Sequence, residues 1–189
     1  MQLDRATGWF HGITHCPSPN FNARPEGESI SLLVIHNISL PPGQFGTGKV
    51  QAFFQNRLPV GEHPFYAEIA SLQVSAHFFI ERDGAVTQFV SCLDRAWHAG
   101  VSWFDGRDNC NDFSLGIELE GTDDLPYSEA QYDALLALVQ YFATEQAVAA
   151  VVGDWTGIPV GRMARNEIET ILKVAGALAQ RVIGQDHAM

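Results

Sequence analysis

Apolar runs and polar turns along the chain predict a sheet with flanking helices. Residues 30–35 form a run of Leu, Val and Ile, as expected for a strand buried on both faces. Residues 115–119 alternate Leu, Ile and Leu with Gly116 and Glu118, which predicts a strand with one polar face. Residues 74–80 and 86–90 predict two more strands, joined at the hairpin signal Asp83-Gly84.

Helical periodicity predominates after residue 128. Ser128 and Gln131 have the spacing of a capping box, and apolar residues follow at positions 132, 135, 136, 139 and 142. The pattern predicts a helix that runs to about Val152, and a second capped helix begins after Asn166. Residues 50–56 predict a short helix, whereas residues 1–30 are rich in Pro, Asn and Gly and are predicted to be loop.

Composition and charge narrow the class of protein. The chain has 189 residues, of which 46% are hydrophobic, so it suits one medium domain with a sizeable core. A net charge of −11 argues against a nucleic-acid partner, because phosphate binding needs a basic face. We find no signal peptide and no stretch apolar enough to span a bilayer. The 3 cysteines are scattered, which favours a reducing cytosol and predicts a cytoplasmic protein.

Several isolated polar residues are candidates for chemistry. His36 ends a predicted buried strand, where a histidine is either a hydrogen-bonded core residue or a ligand. Glu118 lies in an apolar strand, where burial would raise its pKa and suit it to general-base work. Glu120 has the same parity, so the pattern cannot separate the two acids. His77 and His98 are further candidates, with a structural role as the alternative.

Four segments together resemble one enzyme family. They are H-N-I-S from His36, V-S-A-H-F-F-I-E-R-D-G from Val74, R-A-W-H-A-G from Arg95 and N-D-F-S-L-G-I-E-L-E-G-T-D from Asn111. In this order they resemble the N-acetylmuramoyl-L-alanine amidases of the cytosolic AmpD type, over about residues 1–142. The resemblance implies an α/β fold with a mixed central β-sheet flanked by helices. The expected reaction is cleavage of the amide between (anhydro-)N-acetylmuramic acid and L-alanine in muropeptides during cell-wall recycling.

The resemblance also implies a set of site residues. The family holds Zn²⁺ with two histidines and an aspartate and leaves a position open for water. His36 would be the first metal ligand, and Glu118 would activate the attacking water. A bound zinc would lower the pKa of that water and polarise the amide carbonyl. Asn37 and Trp97 would lie in the substrate groove, with Phe65 or Tyr66 nearby.

The chain departs from the family after its long helix. The family needs G-H-x-D-I-A-P-x-R-K-x-D-P-G there, and this chain reads V-V-G-D-W-T-G-I-P-V-G-R-M from Val151. Asp154 stands at the histidine position and is at most a second ligand. Arg162-Met163 is a loose match to the arginine and lysine of the motif, so the lysine that stabilises the oxyanion is missing there. His77 or His98 could replace a lost ligand only if it pointed inward at the right distance.

The replacing segment has a resemblance of its own. Residues 145–189, with W-T-G-I-P-V and R-V-I-G-Q, resemble the region between the two modules of Clp-type AAA+ unfoldases. No G-x-x-x-x-G-K-[ST] loop is present, so ATP is not expected as a partner. We therefore predict an amidase-like domain over residues 1–145 and an appended helical Clp-like segment over residues 146–189.

Three functions follow from this combination. The chain could be a zinc amidase that acts on muropeptides, a module that binds muropeptides without hydrolysis, or a hybrid chain without function. The family resemblance favours the first, the surviving groove residues Asn37 and Trp97 favour the second, and a tail that cannot complete the amidase core favours the third.

Overall fold

A computed structural model describes residues 1–146 and 149–151 of the chain. Its strands are β1 (Gln2–Asp4), β2 (Trp9–His11), β3 (Thr14–His15), β4 (Phe21–Ala23), β5 (Leu32–Ile38), β6 (Phe78–Ile80), β7 (Val86–Gln88), β8 (Asp94–Ala96), β9 (Trp103–Phe104), β10 (Arg107–Asp108), β11 (Ser114–Glu120) and β12 (Ala149–Val151). Its α-helices are α1 (Lys49–Phe54), α2 (Pro64–Ile69) and α3 (Glu129–Gln146), and a 3-10 helix spans Cys110–Asp112.

The central sheet has six strands in the order β12-β5-β11-β6-β7-β3. Strands β12, β5, β11 and β6 run parallel to one another, β7 is antiparallel to β6, and β3 is parallel to β7. The sheet is therefore mixed, as predicted. Three small two-stranded sheets, β1-β2, β4-β8 and β9-β10, surround it.

Side-chain alternation along β5 and β11 divides the sheet into two faces. One set, which includes Ile35 and Ile117, packs with Leu135, Leu138 and other residues of α3 into the main core. The opposite set includes Leu32 and Val34, which pack on the loop that contains the 3-10 helix. His36 and Glu118 share the parity of this second set, so the candidate site lies on the face away from α3.

The capping box at the start of α3 is confirmed. Ser128 Oγ accepts a hydrogen bond from the Gln131 backbone N–H at 3.1 Å, and Gln131 Oε1 accepts one from the Ser128 N–H at 3.1 Å. The Gln131 amide also donates to the carbonyls of Ile80 and Glu120, at 3.2 and 2.9 Å. This side chain therefore fixes the helix start to the ends of β6 and β11.

Two secondary-structure predictions were wrong. Residues 1–30 are not all loop, because β1, β2, β3 and β4 lie within them and pair with each other or with β7 and β8. Helix α3 ends at Gln146 instead of continuing to about Val152, and Ala149–Val151 forms strand β12 beside β5. The Ala and Val residues there are compatible with a helical pattern, so pairing with the open edge of β5 decides between the two structures. The helix predicted after Asn166 lies outside the described residues.

Candidate active site

His36 and Glu118 are direct neighbours across two parallel strands. Their Cα atoms are partners in the β5–β11 register. Because partners in adjacent strands project to the same face, the sheet brings the imidazole and the carboxylate together near the carboxyl ends of the strands. His36 is 9% exposed, and burial lowers its pKa to about 4, so the ring is neutral at pH 7.

The Glu118 carboxylate has an unpaired oxygen. Glu118 Oε2 is buried, and no atom of the described residues hydrogen-bonds to it. Burial raises the pKa of Glu118 to about 8. A buried acid without partners costs free energy, and such groups concentrate where a ligand or reaction uses them. Glu118 is therefore the described acid best placed to take a proton from a reacting water.

The contacts of Glu120 differ from those of Glu118. They distinguish two acids that the sequence pattern could not tell apart. The Glu120 side chain is 3% exposed, and both carboxylate oxygens accept backbone hydrogen bonds. Oε1 accepts from the Gly46 N–H at 2.6 Å, and Oε2 from the Arg82 N–H at 3.2 Å. Glu120 thus joins two loops to the end of β11 and has a structural role.

His98 also lies at the site. Its Nδ1 is 3.1 Å from His36 Nε2, and its Nε2 is 3.2 Å from Ser114 Oγ. The ring lies over the Cα of Gly116, where an added Cβ would overlap it. The His36 Nε2 lone pair is therefore not free in this arrangement, and a metal could bind there only after the contact with His98 opens.

His77 is held as a structural residue. It is fully buried, its Nδ1 accepts a hydrogen bond from the Gly116 N–H at 3.0 Å, and its Nε2 lies 3.1 Å from the Asp94 carbonyl. Both ring nitrogens are thus occupied by backbone groups. His77 does not point a free nitrogen toward His36, so it is not positioned to replace a lost metal ligand.

The predicted substrate-binding residues have different surroundings. Asn37 follows His36 in β5, and its Nδ2 donates to Asp123 Oδ1 at 3.2 Å. Trp97 is half-buried, and its indole N–H donates to Asn22 Oδ1 at 2.7 Å, so the ring and not the N–H is available to a ligand. Both side chains are accessible enough for contact with a ligand.

Tyr66 differs from these two residues. It is 1% exposed and packs in a core cluster with Val50 and Phe79, while Phe65 is partly buried against the same cluster. The position of Tyr66 gives no support to a contact with substrate.

A catalytic zinc takes three protein ligands and keeps one open position. Within residues 1–146 and 149–151, no group of three His, Cys, Asp or Glu side chains could hold a metal. His36 and the unpaired Glu118 oxygen fit the chemistry of such a centre, but they do not complete it. Asp154, the other predicted ligand, lies outside the described residues.

Sequence reasoning missed the role of Asn111. This side chain is 4% exposed, and its Oδ1 accepts the backbone N–H groups of His98 at 3.1 Å and Ala99 at 2.9 Å. It therefore fixes the loop that carries His98. The motif that begins at Asn111 contains this residue, but only the folded geometry shows what its amide binds.

Comparisons with known proteins agree with this geometry. The sequence profile of the family described as N-acetylmuramoyl-L-alanine amidase matches residues 26–166. The 1,6-anhydro-N-acetylmuramyl-L-alanine amidase AmpD of Escherichia coli K12 is 54% identical over 133 residues, which cover 70% of this chain and 73% of that protein. A crystal structure of an AmpD derivative superposes with a TM-score of 0.81 and 42% identity, over 90% of this chain and 99% of that one.

A second similarity is short. A stretch of 44 residues, 23% of this chain, is 73% identical to the AAA+ ATPase ClpV1 of Pseudomonas aeruginosa and covers 5% of that protein. Both resemblances found in the sequence are therefore confirmed. The amidase profile extends to residue 166, past the predicted boundary near residue 145, and the boundary itself stays a prediction.

Proposed function

This chain belongs to the N-acetylmuramoyl-L-alanine amidase family, and we propose that it hydrolyses the amide between 1,6-anhydro-N-acetylmuramic acid and L-alanine in muropeptides. One observation carries the proposal: the buried, unpaired Oε2 atom of Glu118, which lies beside His36 on the adjacent strand. The name of the AmpD relative supplies the substrate class. The reaction would serve cell-wall recycling in the cytoplasm, and the free state of Cys16, Cys92 and Cys110 supports that location.

Four residues of the chain have separate roles in the proposed reaction. Glu118 would accept a proton from the attacking water in its ionised form. Its pKa of about 8 leaves it mostly protonated at pH 7 without metal, so the positive charge of a bound zinc would be needed to lower that pKa. His36 stays neutral beside it. Asn37 and Trp97 hold the muropeptide, Trp97 through the face of its ring. The shared strand register of His36 and Glu118 supports their roles, whereas those of Asn37 and Trp97 rest on the family resemblance and on the exposure of the two side chains.

Zinc is expected because the family is generally zinc-dependent. When bound, it supplies Lewis-acid polarisation of the amide carbonyl. We propose His36 and Asp154 as ligands. Strand β12 runs parallel to β5 and pairs Val151 with Val34, so the carboxyl end of β12 lies at the same edge of the sheet as His36. Asp154 is three positions later in the sequence and lies outside the described residues.

Binding without hydrolysis is the second candidate function. It is favoured by the incomplete set of metal ligands within the described part of the chain. The groove residues Asn37 and Trp97 do not depend on those ligands, because Asp123 and Asn22 hold them. A muropeptide could therefore bind to a site that does not turn it over.

The test combines metal content with product analysis. Protein purified without chelator is assayed for zinc by plasma mass spectrometry, then incubated with anhydro-muropeptide and excess zinc, and the products are separated by liquid chromatography. Release of the free peptide by the wild type but not by Glu118→Gln supports the amidase. Calorimetric binding without release supports the second candidate. Absence of both binding and release contradicts both and leaves the hybrid chain without function.

A further inference from the structure

We propose that Arg24 is a positioning residue, which holds the start of β11 and the His98 loop so that Glu118 and His98 reach the site. The inference rests on the proposed function only for its kinetic consequence. The contacts of Arg24 exist whether or not the chain turns over substrate.

Arg24 follows strand β4 and donates to backbone carbonyls far away in sequence. Its Nη1 donates to the carbonyls of Asn111 at 3.1 Å and Asp112 at 2.9 Å, and its Nη2 to that of Ser114 at 2.9 Å. These carbonyls form the turn from the 3-10 helix into β11. A planar guanidinium can bind several acceptors at fixed angles, which an ammonium cannot. Burial lowers the pKa of Arg24 to about 10, so it keeps its charge at neutral pH.

The turn that Arg24 holds carries both contacts that place His98. Asn111 Oδ1 accepts the backbone N–H groups of His98 and Ala99, and Ser114 Oγ lies 3.2 Å from His98 Nε2. A shift of this turn would therefore move the His98 ring relative to His36. The contact of 3.1 Å between His36 Nε2 and His98 Nδ1 reports on that position.

A second route from Arg24 leads to Glu118 through His77. The Gly116 N–H donates to His77 Nδ1, so the neutral ring carries its proton on Nε2 and donates to the Asp94 carbonyl. Arg24 Nη2 lies 3.2 Å from the same Nε2, and two donors cannot hydrogen-bond to each other. Burial and the Arg24 charge instead lower the pKa of His77 to about 3, which keeps Nδ1 an acceptor. Gly116, two residues before Glu118, stays fixed as a result.

A purely structural arginine would stabilise the fold without this local effect. The experiment must therefore measure changes at the residues of the site, and not only the stability of the fold. Arg24→Lys keeps the positive charge but loses the planar guanidinium, and Arg24→Met loses both. Arg107→Met is the control for loss of another arginine at the same turn. Arg107 stacks 3.7 Å from the Phe113 ring centroid, pairs with Glu28 at 2.6 Å and donates to Ser31 Oγ at 3.3 Å, but it does not hydrogen-bond to the carbonyls that Arg24 holds.

The measurements are ¹⁵N-resolved NMR of the wild type and the variants, and steady-state kinetics on anhydro-muropeptide with zinc. We expect the amide signals of Gly116, His98 and Ala99 to move in both Arg24 variants, farther in Arg24→Met. Arg107→Met should move these three signals less, because it removes a ring contact at the turn and no hydrogen bond to the carbonyls of Asn111, Asp112 and Ser114. In active protein we expect kcat to fall about 100-fold with little change in KM, because the catalytic groups are displaced while the groove is not.

The two proposals fail separately. Unmoved Gly116, His98 and Ala99 amides in folded Arg24→Lys would overturn the role of Arg24, as would equal shifts in Arg107→Met. If Arg24→Met does not fold, Arg24→Lys decides. A wild type that cleaves no muropeptide contradicts the proposed function, and the NMR comparison still decides the role of Arg24.

Discussion

Two buried corners of the same sheet face differ in how their polar groups are satisfied. At the His77 corner, both ring nitrogens meet backbone groups, and Arg24 binds three carbonyls beside it although its Nε is buried without a partner. At the His36 corner, one Glu118 oxygen is buried without a partner among the described residues. Buried polar groups normally find partners, so the fully hydrogen-bonded His77 ring has a structural role, and the free oxygen at the end of the Glu118 side chain is the better candidate for contact with a ligand. Residue type alone would not separate them, since each corner contains a histidine.

The largest expected effect comes from removing the unpaired carboxylate. In active protein, Glu118→Gln should lower kcat about 10²- to 10⁴-fold, because the amide cannot accept a proton. Chromatographic assay of muropeptide cleavage measures this. The same variant should not lower the midpoint of thermal unfolding, because it removes a buried acid that has no partner. Loss of stability together with activity would show that Glu118 is structural and would break the comparison.

Removing the satisfied histidine should act on stability. His77→Phe leaves the Gly116 N–H and the Asp94 carbonyl without their partner, which should cost about 1–3 kcal/mol for each group. Urea unfolding followed by circular dichroism gives the free energy. The control is His11→Phe, since His11 is exposed and should change stability by less than about 0.5 kcal/mol. Equal values for the two variants would contradict a structural role for His77.

Gly116 lies between the His77 corner and the His36 corner of the sheet face. Its N–H belongs to the His77 corner, and the His98 ring occupies the space that a side chain would need. Gly116→Ala should cost about 1–3 kcal/mol through overpacking and should shift the His98 ring signals in NMR. Gly61→Ala is the matched control, because no atom lies within 4 Å of its added Cβ and its φ is not positive. Unchanged His98 signals in Gly116→Ala would show that the ring does not lie against Gly116, and would contradict the contact.

The sequence predicted what depends on local pattern. The strands at residues 30–35 and 115–119, the capping box and the pair His36 and Glu118 all follow from periodicity or motif, and the structure places the pair side by side. The sequence pattern could not predict β12, because a run of Ala and Val is compatible with either a helix or a strand. Pairing with the edge of β5 decides between the two. The pattern could not separate Glu118 from Glu120 or assign Arg24, because those roles depend on backbone groups up to 90 residues away.

The last expected difference between the corners is in their pH dependence, measured in chelator without zinc. Glu118 has a pKa of about 8 in the folded chain against 4.5 in an unfolded one, so the native state binds the extra proton between these values. Stability should therefore fall as pH rises through this window, by at most about 1.4 kcal/mol per pH unit. His77, next to Arg24 and His98, acts in the opposite sense: its pKa of about 3 against 6.5 makes stability fall as pH drops. Glu118→Gln should remove the loss at high pH and keep the loss at low pH in urea titrations from pH 4 to 8. A wild type and variant with parallel profiles would mean that the Glu118 carboxylate is solvated, and the contrast between the corners would then rest on hydrogen bonds alone.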